Sequence, residues 1–284
     1  MIKIKIFCSF SPSDKCKEVF EKINYSDEIS FYGPDKKYYF TNDDDFTHAI
    51  IMNTAMPELN IPKENVLGLA FEPIYFLGLT PQFVEYAKKN IGRYFIGDKF
   101  DLPEPFIEHF GYMWHSRPSR EISFKNKLMS IIVSEKQFAP GHLYRHKLVQ
   151  KIIELNLPID IYGRGSMKYI NKNSRIKGLF NDAEPYEEYS FSICIENTIC
   201  NHYFSEKIIT PLMYNCMPIY LGCKNLNKYV ENVVILGGDV EKDILIIIEI
   251  LNNPNMYYRK TYTDKNIKAV NLIENLPNIF KSVK

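Results

Sequence analysis

The sequence predicts an α/β fold built from two parallel sheets, each covered by helices. Two observations lead to this prediction. Short apolar segments typical of strands alternate along the chain with amphipathic segments typical of helices, and the alternation starts again after a polar stretch at residues 114–125. Alternating strands and helices favour parallel sheets with helices on both faces. A chain of 284 residues has room for two domains of about 120 to 150 residues each.

In the first half of the chain, residues 2–10 alternate apolar and polar side chains, which predicts a strand, and residues 13–23 predict a helix capped by Ser13. The other predicted elements of this half are strands at 29–32, 38–41, 48–52, 65–71 and 93–96 and a helix at 81–90. We expect residues 1–125 to form one Rossmann-like domain, with 114–125 as the linker to the next domain.

The second half repeats the pattern with four strands and three helices. Strands are predicted at 127–133, 158–162, 189–195 and 217–221, and helices at 142–155, 205–214 and 240–251. We expect residues 126–256 to form a second Rossmann-like domain, and residues 257–284 to be a helical segment that packs back on the first domain. Two such domains are expected to face a cleft, where ligands of α/β proteins usually bind.

The composition excludes several classes of protein. The net charge of +1 lacks the basic excess of nucleic-acid binders, so nucleic acid is not an expected partner. The longest apolar run, 244–248, is far shorter than the roughly 20 residues of a membrane-spanning helix, and residues 1–10 lack the pattern of a signal peptide. We therefore expect a cytoplasmic, soluble protein without a transmembrane segment, at most peripheral to a membrane. The six cysteines include no CxxC pair, which argues against structural zinc and favours reduced thiols.

The stretch ENTICNHYFSEK places polar groups directly after an apolar strand. Glu196 and Asn197 follow the carboxyl end of that strand, where ligands collect in open α/β sheets. Ser205 is predicted to cap the next helix, so that Glu206 and Lys207 lie in its first turn. A helix N-terminus and a lysine suit a phosphate, and a carboxylate accepts hydrogen bonds from a sugar diol. Ordinary helix capping is the alternative explanation for this pattern.

Three segments of the second half, FSICIENT, YFSEK and PIYLG, occur in an order and at a spacing that resemble the donor-binding motif of the α-1,3-fucosyltransferases, glycosyltransferase family 10. Upstream, the segment APGHLYRHKLVQKI resembles the part of this family in which an Arg lies at the start of a helix. The segment PIDIYGRG resembles the strand that follows in the family and its glycine turn. The resemblance covers roughly residues 127–230. It implies a GT-B type fold and an inverting glycosyltransferase that transfers a sugar, with fucose from GDP-fucose as the first candidate, to a hydroxyl of a glycan acceptor.

The resemblance also implies roles for individual residues. Arg145 and Lys207 match basic residues that neutralise the donor diphosphate. Tyr203 matches a tyrosine that lies beside the phosphates or the sugar. Glu206 matches a carboxylate that binds sugar hydroxyls. The other residues predicted to bind the donor are Glu196, Asn197, Ser205, Tyr162 and Gly163. A solvated Arg145 and a packed Tyr203 are the structural alternatives, and His202 matches an ordinary loop residue. The nucleotide sugar is implied as the donor, with no further cofactor and no metal.

The match is weaker in the first half. The strand in NVLGLAFEP ends at Glu72, where the family has a glutamate that is often followed by Ser-Pro rather than by Pro alone. By that position, Glu72 is predicted to be the catalytic general base that removes the proton from the acceptor hydroxyl. A solvent-exposed glutamate at a strand end is the alternative. Residues 93–112 resemble the family only loosely, which leaves the acceptor open.

Three other functions stay open. Asp43, Asp44 and Asp45 contain a D-x-D pattern that could hold Mn²⁺ or Mg²⁺ in a metal-dependent glycosyltransferase, although three acids in a row are more typical of a solvated turn. A glycosyltransferase of the same fold could use a UDP- or dTDP-linked sugar. A non-catalytic relative could bind carbohydrate without transferring it.

Overall fold

The computed structural model describes residues 2–23, 37–111, 123–170, 174–181 and 183–280. The chain divides into two compact units. Unit 1 contains Met1–Arg117, Cys200–Tyr203 and Lys268–Lys284, and unit 2 contains Pro118–Ile199 and Phe204–Ile267. The domain boundaries predicted after residues 125 and 256 stay predictions. The predicted strand at 29–32 and most of the predicted linker lie outside the described residues.

Unit 1 has a six-stranded parallel sheet with the strand order β2-β1-β3-β4-β5-β6. Its strands are β1 (Ile2–Cys8), β2 (Tyr38–Phe40), β3 (His48–Met52), β4 (Val66–Leu69), β5 (Arg93–Ile96) and β6 (Phe106–Glu108). Its first three helices are α1 (Ser13–Ile23), α2 (Ile74–Leu77) and α3 (Pro81–Asn90). Helix α3 begins where the sequence places it, because Thr80 accepts a hydrogen bond from the Phe83 N–H at 3.1 Å and Pro81 occupies the first turn.

Contacts in the core of unit 1 hold the backbone in place where strands β3 and β4 end. The Tyr94 ring lies over Gly68, where a Cβ atom would be 2.0 Å from the ring. The Tyr94 hydroxyl donates to the Asn53 carbonyl at 2.7 Å, and the Asn53 side chain accepts from the Phe71 N–H at 2.8 Å. This chain of contacts sets the position of the segment that follows β4, which contains Glu72.

Unit 2 has a second six-stranded parallel sheet, with the order β12-β11-β10-β7-β8-β9. Its strands are β7 (Lys127–Ile132), β8 (Asp160–Tyr162), β9 (Ile176–Gly178), β10 (Tyr189–Ile195), β11 (Met217–Leu221) and β12 (Val234–Ile235). Its helices are α4 (Pro140–Glu154), α5 (Glu184–Glu187), α6 (Glu206–Met213), α7 (Val240–Asn252) and α8 (Pro254–Tyr257). Strand β10 is a nearly continuous apolar run because both faces of the sheet are covered.

The C-terminal segment, predicted to be helical from residue 257, contains two helices and a non-helical stretch before them. After α8 the chain is not helical until α9 (Asp264–Val270), which is followed by α10 (Leu272–Ile279). The reason is tertiary: the Asn215 side chain accepts hydrogen bonds from the N–H groups of Thr261 at 2.9 Å and Tyr262 at 2.6 Å. The Thr261 hydroxyl also donates to the Leu212 carbonyl at 2.9 Å. These bonds satisfy the backbone in place of a helical ladder.

We predict that Gly68→Ala lowers the free energy of unfolding by about 1–3 kcal/mol, because the new methyl group overlaps the buried Tyr94 ring. Gly237→Ala is the matched control. Gly237 is exposed and the nearest atom to its added Cβ lies at 3.6 Å, so its effect should stay within about 0.5 kcal/mol. Denaturant titration measures both variants, and equal stabilities for the two would contradict the packing at Gly68.

Candidate functional site

The site in unit 2 begins with the approach of helix α4 to the end of strand β10. A Cβ atom on Gly141 would lie 1.8 Å from the Glu196 carbonyl oxygen, so only glycine allows this approach. The Gly141 N–H donates to the Asn197 carbonyl at 2.9 Å. The next residue, His142, is buried, accepts a hydrogen bond from the Ala139 N–H at 3.3 Å and is hydrogen-bonded to the Asn197 side chain. The first turn of α4 is therefore fixed to the Glu-Asn pair.

Glu196 joins the end of β10 to the start of α6. Its carboxylate is 1% exposed and accepts two hydrogen bonds from Ser205, one from the N–H and one from the hydroxyl, both at 2.7 Å. Ser205 caps α6 and accepts a hydrogen bond from the Lys207 N–H at 3.4 Å. The predicted cap is confirmed. Because both Glu196 oxygens bind Ser205, the geometry makes Glu196 a residue that positions the helix.

Lys207 lies at the centre of this group of charges. Its ammonium donates to the Ser205 hydroxyl at 3.0 Å and to Glu206 Oε1 at 2.9 Å, and it lies 3.6 Å from Glu196 Oε2. Burial acts to lower the pKa of Lys207, but the Glu196 and Glu206 carboxylates outweigh it and raise that pKa above its usual value. Lys207 therefore carries its positive charge at neutral pH. Burial raises the pKa of Glu196, against the opposing effect of Lys207.

A cavity of about 290 Å³ opens beside these groups. Its charged lining residues are Arg145, Glu206 and Lys207, and its other lining residues are Ile132, Ser134, Phe180, Tyr186, Ile193, Cys194, Ile195 and Thr210. The cavity thus combines an apolar wall with two cations and one carboxylate. Small-molecule sites have this composition, in which a few polar groups fix the orientation of a ligand against apolar surface.

Arg145 reaches the cavity from helix α4. The residue is 5% exposed, and its Nη2 donates to the Ile195 carbonyl at 2.5 Å. Burial lowers the pKa of Arg145, and the nearby Glu196 and Glu206 oppose that shift. A guanidinium has five N–H donors, so this one bond leaves others for a ligand. The alternative of a solvated Arg145 is wrong, because the side chain is buried.

Two residues of the site were not singled out in the sequence. The Ser134 hydroxyl lies on the cavity wall and, within the described residues, has no hydrogen-bond partner although it is buried. Buried polar groups are normally paired, so an unpaired one on a cavity wall suits a ligand atom. His142 carries no recognisable motif, and its role follows only from its packing against Asn197. Neither residue has a local sequence signal that could have revealed it.

Tyr162, Gly163 and Tyr203 do not line this cavity. The Tyr162 hydroxyl is hydrogen-bonded to the Tyr189 hydroxyl at 2.9 Å, and the latter donates to Asp160 Oδ2 at 2.7 Å. Gly163 has a φ of 95°, and a Cβ there would lie 2.4 Å from the Val133 carbonyl oxygen. Tyr203 belongs to unit 1 and is buried, which agrees with the alternative of a packed aromatic side chain. Their donor-binding roles stay predictions.

Glu72 belongs to unit 1 and is half-buried in the bend that follows β4. The neighbouring Phe71 is held by Asn53, which restricts the backbone at this point. Its assignment as the general base stays a prediction. His202 also belongs to unit 1, where its Nε2 lies 3.1 Å from Glu108 Oε1.

The acidic triplet of unit 1 is paired with lysines and a threonine. Asp44 binds the Lys5 ammonium at 2.9 Å, and Asp45 binds Lys3. Asp43 is hydrogen-bonded to Thr41. Among the residues that the structure describes, no group of three or more His, Cys, Asp or Glu side chains could hold a metal ion. These contacts are typical of a solvated turn.

Comparison with known proteins now identifies the second half of the chain. A family model described as glycosyltransferase family 10 (fucosyltransferase) C-term matches residues 122–236. Residues 122–236 are therefore similar to the C-terminal part of that family. The matched residues contain Arg145 and the whole Glu196–Lys207 stretch, so the resemblance inferred from the motifs is confirmed.

The curated relatives match only part of this chain. The GDP-fucose protein O-fucosyltransferase 3 of Xenopus tropicalis is 24% identical over 135 residues, which are 40% of this chain and 29% of the relative. The alpha-(1,3)-fucosyltransferase B of Drosophila melanogaster is 32% identical over 94 residues, which are 31% of this chain and 21% of the relative. This chain therefore covers less than a third of the length of either relative.

Solved structures resemble the whole chain in fold. An alpha1,3-fucosyltransferase crystallised with GDP-fucose has a TM-score of 0.56 at 14% identity, covering 100% of this chain and 91% of that one. TarM has a TM-score of 0.52 at 11% identity, covering 82% of this chain and 55% of that one. These similarities and the two parallel sheets confirm the predicted fold class, the GT-B type. Across the described ranges, every helix is too short or too polar to cross a bilayer.

We predict that Ser205→Ala lowers the free energy of unfolding by about 2–4 kcal/mol, because it removes the cap of α6 and leaves the buried Glu196 carboxylate short of a donor. Asp239→Ala is the matched control. Asp239 caps α7 in the same manner but is exposed, so its loss should cost about 0.5–2 kcal/mol. Denaturant titration compares the two. Equal losses would contradict the special role of the Ser205–Glu196 contact.

Proposed function

We propose that this chain is an inverting glycosyltransferase that transfers fucose from GDP-fucose to a hydroxyl of a glycan acceptor. The observation that carries the proposal is the unit 2 cavity, which places the cations of Arg145 and Lys207 beside the Glu206 carboxylate within a family 10 domain. The names of the relatives, a GDP-fucose protein O-fucosyltransferase and an alpha-(1,3)-fucosyltransferase, support GDP-fucose as the donor.

The donor diphosphate would bind between Arg145 and Lys207. Lys207 lies in the first turn of α6, where the helix dipole adds to its own charge. Its ammonium donates to Glu206 Oε1 at 2.9 Å. When a diphosphate takes over the ammonium, Glu206 becomes available to accept hydrogen bonds from sugar hydroxyls. The Ser134 hydroxyl, for which the described part of the chain offers no hydrogen-bond partner, would supply a further donor on the same wall.

The same cations would stabilise the transition state. The acceptor oxygen attacks the anomeric carbon from the side opposite the diphosphate, and the bond from that carbon to the phosphate oxygen breaks. Negative charge accumulates on the departing GDP, where fixed cations lower its energy. Glu72 would take the proton from the attacking hydroxyl, which makes that oxygen a better nucleophile. The products are the fucosylated acceptor and GDP.

We predict that Lys207→Ala raises the dissociation constant of GDP roughly ten- to hundredfold, because a hydrogen bond to a charged group contributes about 1.5–3 kcal/mol. Lys242→Ala is the matched control, since Lys242 is an exposed lysine in the first turn of a different helix, α7. Its GDP affinity should equal that of the wild type. Isothermal titration measures both constants. An unchanged affinity for Lys207→Ala would remove Lys207 from the donor site.

We predict that Glu72→Gln leaves the affinity for GDP unchanged but slows transfer about a hundredfold or more, because the amide cannot accept the acceptor proton. Glu85→Gln, an exposed change on α3, serves as the control and should transfer at the wild-type rate. Release of GDP in the presence of a glycan acceptor measures the rate. Undiminished transfer by Glu72→Gln would exclude Glu72 as the base.

A panel of nucleotides tests which nucleotide the donor contains, independently of whether the protein transfers the sugar. GDP, UDP, dTDP and CMP, each with their common sugars, are tested for their ability to raise the melting temperature of the protein. We expect GDP and GDP-fucose to give the largest shifts. If only UDP or dTDP raises the melting temperature, GDP-fucose is not the donor and the sugar is linked to one of those nucleotides. Binding without transfer to any acceptor would favour a non-catalytic carbohydrate-binding protein.

A further inference from the structure

Two large aromatic side chains of unit 1 lie side by side on the surface. Tyr75 belongs to helix α2 and is 75% exposed, and Phe100 belongs to the loop after strand β5 and is 60% exposed. Their ring centroids are 6.2 Å apart, and the ring planes are inclined by 58°. Single exposed apolar side chains are ordinary, but two adjacent exposed rings form a patch of the kind that binds ligands.

Helix α2 presents Tyr75 to solvent because its other face is anchored in the core. Ile74 and Leu77 both pack against the hydrophobic core of unit 1, as residues three apart on one face of a helix can. Tyr75 lies between them in the sequence and stays exposed. The Leu77 N–H donates to the Pro73 carbonyl at 3.0 Å, so the short helix begins directly after this proline.

Phe100 has a strained backbone conformation. Its φ of 49° lies in the left-handed region, which is unfavourable for a residue with a bulky side chain. Contacts around it hold the loop: the Lys99 N–H donates to Glu108 Oε2 at 3.2 Å, and the Leu102 N–H donates to the Lys99 carbonyl at 3.2 Å. Because the ring is largely exposed, its own packing offsets little of the strain. Strained residues of this kind cluster at active sites and ligand sites.

Both rings belong to the same edge of the sheet as the predicted general base. Strands β4 and β5 are parallel neighbours with Leu69 opposite Phe95, so the segments that follow the two strands leave the sheet at one edge. Glu72 and Tyr75 follow β4, and Phe100 follows β5. Three residues of chain span at most about 10 Å, which limits the distance from the Glu72 Cα to the Tyr75 Cα.

The size and the surroundings of the pair favour a sugar over a protein or a membrane. An aromatic side chain offers about 150–250 Å², so two rings offer less than the roughly 800 Å² that each partner buries in a stable protein complex. One face of a pyranose ring carries mainly C–H groups and matches an aromatic ring, while its hydroxyls need polar partners. The charged residues Asp98, Lys99 and Asp101 flank Phe100 in the sequence, which suits hydroxyls and opposes insertion into lipid.

We propose that Tyr75 and Phe100 form a platform on which the apolar face of a pyranose ring of the glycan acceptor packs. The rings hold the saccharide through its C–H groups and thereby keep its reacting hydroxyl near Glu72. The identification of this saccharide as the acceptor rests on the proposed function, whereas the contact between the rings and a sugar does not. No bond forms or breaks on the platform, so its loss weakens acceptor binding and leaves donor binding unchanged.

Two variants remove one ring each. Tyr75→Ala and Phe100→Gly should each raise the KM for the acceptor about fivefold or more, because a desolvated aromatic contact is lost, with the dissociation constant of GDP unchanged. Glycine adopts a φ of 49° without strain, so the melting temperature of Phe100→Gly should be no lower than that of the wild type. Tyr75→Phe keeps the ring and should keep the wild-type KM.

Phe124→Ala is the matched control for the loss of an exposed ring. Phe124 is 85% exposed and belongs to unit 2, so its removal should leave the KM for the acceptor at the wild-type value. Equal KM values for Tyr75→Ala, Phe100→Gly and the control would overturn the platform while transfer by all of them supports the proposed function.

Direct binding separates the platform from the transfer reaction. Saturation-transfer NMR is recorded with four β-linked disaccharides, lactose, N-acetyllactosamine, cellobiose and chitobiose. We expect signals from the ring C–H protons of at least one disaccharide with the wild type, and their loss with Tyr75→Ala and with Phe100→Gly. Sugar binding that depends on both rings, without any transfer from GDP-fucose, would contradict the proposed function and leave the platform intact.

Two other outcomes would overturn the platform. The first is that the wild type binds none of the four disaccharides, or that both variants bind them as well as the wild type does. The second is that the wild type binds phosphatidylcholine vesicles instead of sugars and that Tyr75→Ala does not, which would assign the two rings to a membrane surface.

Discussion

The charged cavity of unit 2 depends on the buried carboxylate of Glu196. A charged group that is 1% exposed is costly unless hydrogen bonds and an opposite charge compensate it. Ser205 supplies two hydrogen bonds and Lys207 the charge. Because Ser205 is also the cap of α6, the compensation of Glu196 sets where that helix begins. The position of Lys207 at the cavity is thus a consequence of the burial of Glu196.

The same junction explains why the polar groups of ENTICNHYFSEK have different tasks. Glu196 faces inward and holds the helix, whereas Lys207 and Glu206 line the cavity. Gly141 allows α4 to pack directly on the Glu196 carbonyl, which brings Arg145 to the same cavity from the other side of the strand end. Two helices and one strand therefore meet at Glu196, helix α4 at its backbone carbonyl and helix α6 at its carboxylate.

Long apolar strands such as β3 and β10 were predictable to the residue, because their burial leaves a clear apolar run. Strands β6, β9 and β12 were not predicted. The break between α8 and α9 depends on Asn215, which is distant in the sequence. In the candidate site, Arg145 and Lys207 could be predicted from the sequence, because they are charged and lie within the family motifs. The inward-facing role of Glu196, the place of Ser134 on the cavity wall and the packing of His142 arise only from tertiary structure.

The most direct measurement is a crystal structure of the protein with GDP-fucose bound. The Glu196–Ser205–Lys207 junction predicts the diphosphate in the cavity of about 290 Å³, with its oxygens within hydrogen-bond distance of Lys207 Nζ and the Arg145 guanidinium. Glu206 should then contact a sugar hydroxyl. A nucleotide bound elsewhere, for example in the cavity of about 360 Å³ beside Gly222 and Gly237, with Lys207 still bonded to Glu206, would contradict this view of the site.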